Sequence, residues 1–285
     1  MTWFYFGIVT VLLTSIITIS QKSYVNKRLN HSVIVGTLYQ IVAGLFIALY
    51  AAFAGLLTFE FTPQSALLAA VAMALFALGT WTYFTALHRI AASSLTILLT
   101  TRSVVTLIVA SLFLHESISA VHISGMICLV LAIGISQKIS FVRLNKKSVA
   151  IALLTASLFG VANVLERVLL TEMNWYLYLA LAFMLPGITL FFIQKSQLPK
   201  HLPIQLNAGT VVHILLIGIA TAIAGITSVH SIAWAPSTAA YSFLSQSRVV
   251  VTVILAYLLL RERSHPMRTI FASFLCLIGL YLLAL

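Results

Sequence analysis

Long apolar runs separated by short basic loops make up almost the whole chain, and this pattern decides what it can fold into. A helix needs about 20 mostly apolar residues to cross a bilayer. With 61% hydrophobic and 7% charged residues, the chain has too much apolar surface for a water-soluble core. The pattern predicts an all-α integral membrane protein with ten transmembrane helices: 3–21, 33–57, 65–87, 92–114, 118–137, 149–170, 174–194, 209–231, 238–260 and 266–285.

The basic residues predict the orientation of these spans. Loops rich in Lys and Arg remain in the cytoplasm. Of the 16 basic residues, 13 follow spans 1, 3, 5, 7 and 9: Lys22, Lys27, Arg28, Arg89, Lys138, Arg143, Lys146, Lys147, Lys195, Lys200, Arg261, Arg263 and Arg268. Both termini are therefore predicted to be external, in a multi-pass protein of the plasma (inner) membrane. The net charge of +11 then reflects membrane orientation, and no nucleic-acid partner is expected.

An element of the first half recurs in the second. Arg102 stands fourteen residues before Glu116 in one apolar run, and Arg248 stands fourteen residues before Glu262 in another. Shared Val and Leu mean little in so apolar a chain, but Arg and Glu at a fixed spacing are informative. The sequence therefore indicates an internal duplication.

The duplication predicts two halves of opposite orientation. Gln21-Lys22 falls opposite Glu166-Arg167 at nearly the same offset as the arginine element. Each half has five spans, an odd number, so the second half enters the membrane upside down. Residues 1–142 are predicted to form the first five-helix repeat and residues 143–285 the second, inverted repeat, as in many secondary transporters.

Two segments carry a resemblance to a known family. In each, an apolar helix ends in L-x-E before another apolar helix with a late Gly: LFLHESISAVHISGMICLVLAIG and YLLLRERSHPMRTIFASFLCLIG. With ten spans in two repeats, they resemble the drug/metabolite transporter superfamily, EamA type. The resemblance implies a ten-helix transporter of small metabolites that works by alternating access. The chain departs from the family where a Pro is common in this helix, since Ser103 and Val249 stand there.

Arg102 and Arg248 are the leading candidates for a substrate site. Each lies about 15 Å deep in its span, and a charge at that depth by default marks a pathway or a paired site. One interpretation is that the guanidinium groups bind a carboxylate or phosphate. The other is that each bonds helix-end carbonyls or a buried Glu. We expect both to face one central cavity at similar depth, with at least one of them contacting substrate.

Polar and aromatic residues within the spans are further candidates for substrate binding. Helical spacing places two of them on the face of Arg248, and four others lie in spans 2, 3 and 6: Tyr241, Ser245, Trp81, Tyr83, Gln40 and Asn163. Gln40 and Asn163 are also explained by hydrogen bonds between helices, and Trp81 by an aromatic belt at the membrane interface.

Glu166 is the candidate coupling group, because the other four glutamates are expected near helix ends or in loops. It either relays a proton or pairs with Arg167 or Arg102. The sequence shows no catalytic set, no metal-ligand spacing and no nucleotide-binding motif, so no enzyme activity, metal or cofactor is expected.

These observations predict a secondary transporter of small metabolites, with amino acids or other organic acids favoured as substrates. The alternatives are a lipid-linked flippase subunit and a multidrug or cation exporter. The expected partners are the small-molecule substrate and the lipid bilayer. The sequence leaves the oligomeric state open, a homodimer included.

Overall fold

The computed structural model describes residues 2–27, 32–59, 62–113, 118–137, 146–197, 208–234, 244–245, 247–260, 266–283 and 285. Eleven α-helices occupy these residues: α1 Thr2–Lys27, α2 Ser32–Phe53, α3 Pro63–Arg89, α4 Ala92–Leu99, α5 Thr101–Phe113, α6 Ala120–Gln137, α7 Lys146–Glu172, α8 Trp175–Gln197, α9 Ala208–Trp234, α10 Arg248–Leu259 and α11 Pro266–Leu282. The described part of the chain contains no strand. The predicted all-α class is confirmed.

Membrane-length helices dominate the fold. Among the described residues, seven segments are long and apolar enough to cross a bilayer, and one of them, Ala92–Phe113, combines α4 and α5. Three shorter apolar helices occupy the places expected for the fifth, ninth and tenth spans: Ala120–Ile135, Arg248–Leu259 and Met267–Leu282. Helices suit this environment because each satisfies its own backbone hydrogen bonds where water is absent.

Local signals set where two of the spans begin. Thr62 caps α3, and its side chain and that of Ser65 each accept a hydrogen bond from the other's backbone N–H. Pro63 follows as the first helical residue, a position that needs no backbone N–H. Pro266 likewise begins α11, as the sequence predicts.

Most helix contacts come in pairs: where a helix of the first half packs on one of the second, the corresponding helices of the two halves pack in the same way with their roles exchanged. α3 of the first half packs on α7 of the second, and α1 packs on α9. α5 packs on α7, and α1 packs on α10. α2 packs on α8, and α6 packs on α11. In each of these two pairs, a helix packs on the helix that occupies the corresponding place in the other half. Such packing is the arrangement expected of two inverted repeats related by a pseudo-two-fold axis, and the division of the chain at residues 142 and 143 stays a prediction.

Glycines on both helices lie at the contacts between α2 and α8 and between α6 and α11. A Cβ at Gly44 would lie 2.7 Å from the Ala180 carbonyl oxygen, and one at Gly187 would lie 2.9 Å from that of Thr37. A Cβ at Gly125 would lie 2.7 Å from the Gly279 carbonyl oxygen, and the reverse distance is 2.9 Å. Because no side chain separates these backbones, the helices approach closely, as small residues allow in membranes.

The two ends of the bundle differ. We call one end the Lys22 face, where α1 and α3 end and α7 and α9 begin, and the other the Trp3 face, where Ser231 near the end of α9 donates to the Trp3 carbonyl. Toward the Lys22 face, one buried apolar cluster joins α1, α2, α3, α4, α7 and α9. Its larger members are Ile17, Tyr39, Phe84, Leu87, Ile90, Leu95, Leu98, Val149, Ile214 and Ile217.

Lys22 itself is buried, with 6% of its surface exposed, although the sequence analysis assigns it to a loop. Its ammonium donates to the carbonyls of Leu87 at 2.5 Å and Ile90 at 2.8 Å, at the end of α3. The last carbonyls of a helix lack intrahelical partners, and the helix dipole favours a cation there. The loop assignment is therefore wrong, because the long lysine side chain binds a neighbouring helix end instead of water.

Candidate functional site

The helix carrying each intramembrane arginine is interrupted just before that arginine. The Thr100 N–H donates to the Ile97 carbonyl at 3.2 Å, between α4 and α5. The Ser247 N–H donates to the Leu244 carbonyl at 3.1 Å, directly before α10. Both are tight three-residue bonds that interrupt a regular helix. Arg102 and Arg248 thus stand at equivalent places, at the start of a new helical segment.

A small residue of the opposite half lies against the backbone of each arginine. A Cβ at Gly160 would lie 2.9 Å from the Arg102 carbonyl oxygen. The Ser15 hydroxyl lies 3.4 Å from the Arg248 carbonyl oxygen, to which it donates. Residues 15 and 160 are related by the same sequence offset as Gln21 and Glu166. The two arginines therefore meet corresponding places on α1 and α7.

The Arg102 cluster consists of Arg102 on α5, Glu166 on α7 and Tyr178 on α8, and we include Asn163 of α7 by its helical position alone. Glu166 interacts electrostatically with both Arg102 and the Tyr178 hydroxyl. The Tyr178 side chain is fully buried, and its hydroxyl has no hydrogen-bond partner among the described residues. Asn163 lies half-buried one turn before Glu166. This cluster combines a cation, an anion and a spare hydroxyl, and it lies toward the Trp3 face.

The Arg248 cluster is built from neutral groups around the second arginine. Tyr83 on α3 interacts electrostatically with Arg248, and its hydroxyl donates to Gln21 Oε1 on α1 at 3.1 Å. Thr18, also on α1, lies close enough to interact with the same hydroxyl. The cluster lies toward the Lys22 face, because Gln21 adjoins Lys22. The two arginines therefore interact with partners on opposite sides of the bundle's middle.

The amide of Gln40 extends the Arg248 cluster into α2. Tyr39 interacts with the side chains of Gln21 and Gln40, and Gln40 Nε2 donates to Thr80 Oγ1 at 3.0 Å. Gln40 is buried, and its Oε1 has no hydrogen-bond partner among the described residues. Six polar side chains from three helices thus lie near a guanidinium, with hydrogen bonds joining Tyr83 to Gln21 and Gln40 to Thr80.

The structure brings together most of the predicted site residues, in two groups rather than one. Tyr83 and Gln40 belong to the Arg248 cluster, and Asn163 and Glu166 belong to the Arg102 cluster. Trp81 lies apart: 43% of its surface is exposed, because it points away from the face of α3 that carries Tyr83. Residues two positions apart lie on different sides of a helix. The sequence alone does not say which side of α3 faces the other helices, so it did not distinguish Trp81 from Tyr83.

The remaining two predicted residues lie before Arg248. Ser245 is half-buried, and Tyr241 lies outside the described residues. The sequence analysis places both on the face of Arg248 by assuming an unbroken helix. The turn at Ser247 interrupts that helix, so the spacing does not fix their position relative to the guanidinium.

Five polar residues of the two clusters are absent from the predicted site: Thr18, Gln21, Tyr39, Thr80 and Tyr178. One signal for Tyr39 was available, since it precedes Gln40 in an apolar span. Thr18 and Thr80 carry no such signal, because threonines within membrane helices commonly bond their own backbone. Tyr178 is distinguished only by the partnerless hydroxyl that packing against α3 and α7 produces.

Comparison with known proteins supports the family resemblance. Residues 1–136 match the sequence profile of the EamA-like transporter family. The match confirms the expected relation to the drug/metabolite transporter superfamily, whose EamA members are transporters rather than enzymes. No curated protein matches the chain significantly. With the apolar helices, the match supports a multi-pass membrane protein, and the family suggests a transporter of small molecules.

Proposed function

We propose that this chain, whose first half matches the EamA-like transporter family, is a secondary transporter of small anionic metabolites. Amino acids and other organic acids are the favoured substrates, and the plasma membrane is the proposed location. The observation that carries the proposal is that each intramembrane arginine forms a polar cluster with helices of the opposite half. A guanidinium suits the carboxylate of such a substrate.

The cross-half position of the arginines supports alternating access. Arg102 belongs to the first half but meets Glu166 of the second, whereas Arg248 of the second meets Tyr83 of the first. A substrate bound to either arginine therefore contacts both halves. Its binding free energy therefore differs between conformations that place the two halves differently. A ligand shifts a conformational equilibrium only when it has such a difference in affinity.

The orientation is also a proposal. Without Lys22, which is buried in α1, twelve of the 16 basic residues still follow spans 1, 3, 5, 7 and 9, so external termini remain the expected topology. A reporter that is active only outside the cytoplasm, fused to the C-terminus, should be active. A fusion that is active only with a cytoplasmic reporter overturns this topology.

Reconstituted transport tests the substrate class. Proteoliposomes are supplied with a radiolabelled L-amino-acid mixture, labelled succinate, a labelled lipophilic cation or a fluorescent lipid. We expect uptake of at least one anionic probe, and Arg102→Lys or Arg248→Lys should weaken its apparent affinity about tenfold, because the bidentate contact is lost. Arg167→Lys, at an exposed position of α7, is the matched control.

Two outcomes contradict the proposal. Uptake of the cation alone, or flipping of the lipid alone, indicates one of the alternative functions. Unchanged apparent affinity for the anion in both Arg→Lys variants shows that neither guanidinium binds substrate. Either result leaves the family relation intact, since that rests on the sequence match.

A further inference from the structure

The two clusters differ in one respect that bears on energy coupling. Gln21 and Glu166 occupy corresponding places, on α1 and α7, beside the two equivalent arginines. Gln21 accepts a hydrogen bond from Tyr83 in the Arg248 cluster, and Glu166 interacts with Arg102 in the other. An amide has nearly the shape of a protonated carboxyl group but no titratable proton. The first half therefore carries a fixed neutral version of the group that titrates in the second.

We propose that the Glu166 carboxylate and the substrate anion compete for Arg102, so that a proton and an anion cross the membrane in the same direction. This inference rests on the proposed function of anion transport. A proton from the solution on the loading side binds the Glu166 carboxylate and neutralises it. The anion then takes the place of that carboxylate beside the guanidinium. On the other side the anion leaves, Glu166 releases its proton, and the pair with Arg102 re-forms.

Charge balance sets the direction of coupling. Ionised Glu166 and a bound anion would place two negative charges beside one guanidinium inside the membrane, where repulsion is strong. With Glu166 protonated, one cation faces one anion, as in the empty pair. Proton binding therefore favours anion binding, and by reciprocity anion binding favours proton binding. The same argument excludes exchange of an anion for a proton at this site.

The surroundings of Glu166 fit a group that gains and loses a proton. α7 packs against α3, α4, α5 and α8. α5 contributes Arg102 and α8 contributes Tyr178, whereas the α3 residues of this cluster, among them Met73, are apolar. The part of α4 in the buried core meets α7 at its opposite end, through apolar residues. On α7 itself, Asn163 precedes Glu166 by one turn, and the exposed Arg167 follows it.

The Tyr178 hydroxyl completes the site as a positioning group. It is buried, has no hydrogen-bond partner among the described residues and interacts electrostatically with Glu166. A hydroxyl can donate to an ionised carboxylate and accept from a protonated one. In the described structure the Tyr178 hydroxyl makes no such bond, so it is available to Glu166 in either protonation state once Arg102 turns to the substrate.

Gradient-driven uptake in proteoliposomes tests the inference, with the labelled L-amino-acid mixture and labelled succinate as probes. We expect an inward proton gradient to accelerate uptake in the wild type, by up to about tenfold for each pH unit over the range where one proton is bound. Glu166→Gln should respond less than about twofold to the same gradient, whatever its rate of uptake without a gradient. Glu172→Gln, an exposed position at the end of the same helix, should respond like the wild type.

A second variant keeps the test informative if Glu166→Gln folds poorly. Gln21→Glu gives the Arg248 cluster the titratable group that it lacks, so uptake should depend more steeply on pH than in the wild type. Indifference of wild-type uptake to the gradient, acceleration by an outward gradient, or a full gradient response in Glu166→Gln overturns the coupling and leaves anion transport standing. Failure to transport either probe under any gradient counts against the proposed function, and this inference falls with it.

Discussion

The Arg248 cluster and the Arg102 cluster stand at equivalent places of the proposed duplication, and they surround a half-buried guanidinium with different groups. Around Arg248, hydroxyls and amides such as those of Tyr83 and Gln21 form a hydrogen-bonded network. Around Arg102, a carboxylate supplies an opposite charge, and the nearby Tyr178 hydroxyl has no hydrogen-bond partner among the described residues. After duplication, two copies in opposite orientations can thus keep one geometry and diverge in charge.

The largest expected difference concerns the charge of the Arg102 cluster. Arg102→Gln leaves the half-buried Glu166 carboxylate without the cation that it interacts with, and should cost about 2 kcal/mol, less than the loss of about 3–5 kcal/mol for a fully buried pair. The double variant Arg102→Gln/Glu166→Gln should recover most of that loss. Thermal unfolding of the purified protein in detergent measures both. Equal losses in the single and double variants would show that Glu166 and Arg102 are not energetically coupled.

A smaller difference should separate the two tyrosines. Tyr83→Phe removes the hydroxyl that donates to Gln21, leaves that amide oxygen without this donor, and should cost about 1 kcal/mol. Tyr178→Phe removes a buried hydroxyl that has no hydrogen-bond partner in the described structure, so stability should change by less than about 0.5 kcal/mol.

Thermal unfolding of the two Phe variants, side by side, gives the comparison. Because both variants lose one tyrosine hydroxyl, the difference between them reports the surroundings of that hydroxyl. A larger loss at Tyr178 than at Tyr83 would mean that the Tyr178 hydroxyl is bonded in the folded protein, and the contrast between the clusters would then need revision.

The smallest effect is expected at Trp81. Trp81→Leu changes an exposed side chain that points away from the Arg248 cluster, so uptake of the anionic probe and stability should both remain close to wild type, within about 0.5 kcal/mol. Uptake and thermal-unfolding assays on this variant test whether Trp81 belongs to the Arg248 cluster. A severalfold loss of apparent affinity would place Trp81 in the substrate path after all.

Hydropathy was enough to predict the helices, because lipid permits few spanning structures and each apolar run is long. The candidate arginines were also accessible, since a charge within an apolar run is conspicuous. The sequence did not reveal which helices face each other. It therefore grouped Trp81 with Tyr83, although Trp81 is exposed on another side of α3, and the expectation of one cavity shared by both arginines stays a prediction.

Two further differences have local physical causes. The spacing argument for Tyr241 and Ser245 assumed a continuous helix, and the turn at Ser247 depends on hydrogen bonds that hydropathy does not encode. Lys22 was assigned to a loop because a cation at the end of an apolar run normally reaches water. Only the position of the α3 end, at Leu87 and Ile90, explains why it is buried.

The burial of Lys22 also constrains the order in which the protein can assemble during synthesis. The ribosome delivers α1 to the membrane before α3 has been made, and the carbonyls that bind Lys22 follow it by 65 and 68 residues. Until the third span has inserted, the Lys22 ammonium is best placed among the lipid headgroups, where phosphates and water surround it. The first helix therefore reaches its final depth only after the third has arrived, so a nascent chain truncated before Ile90 should hold α1 nearer the membrane surface.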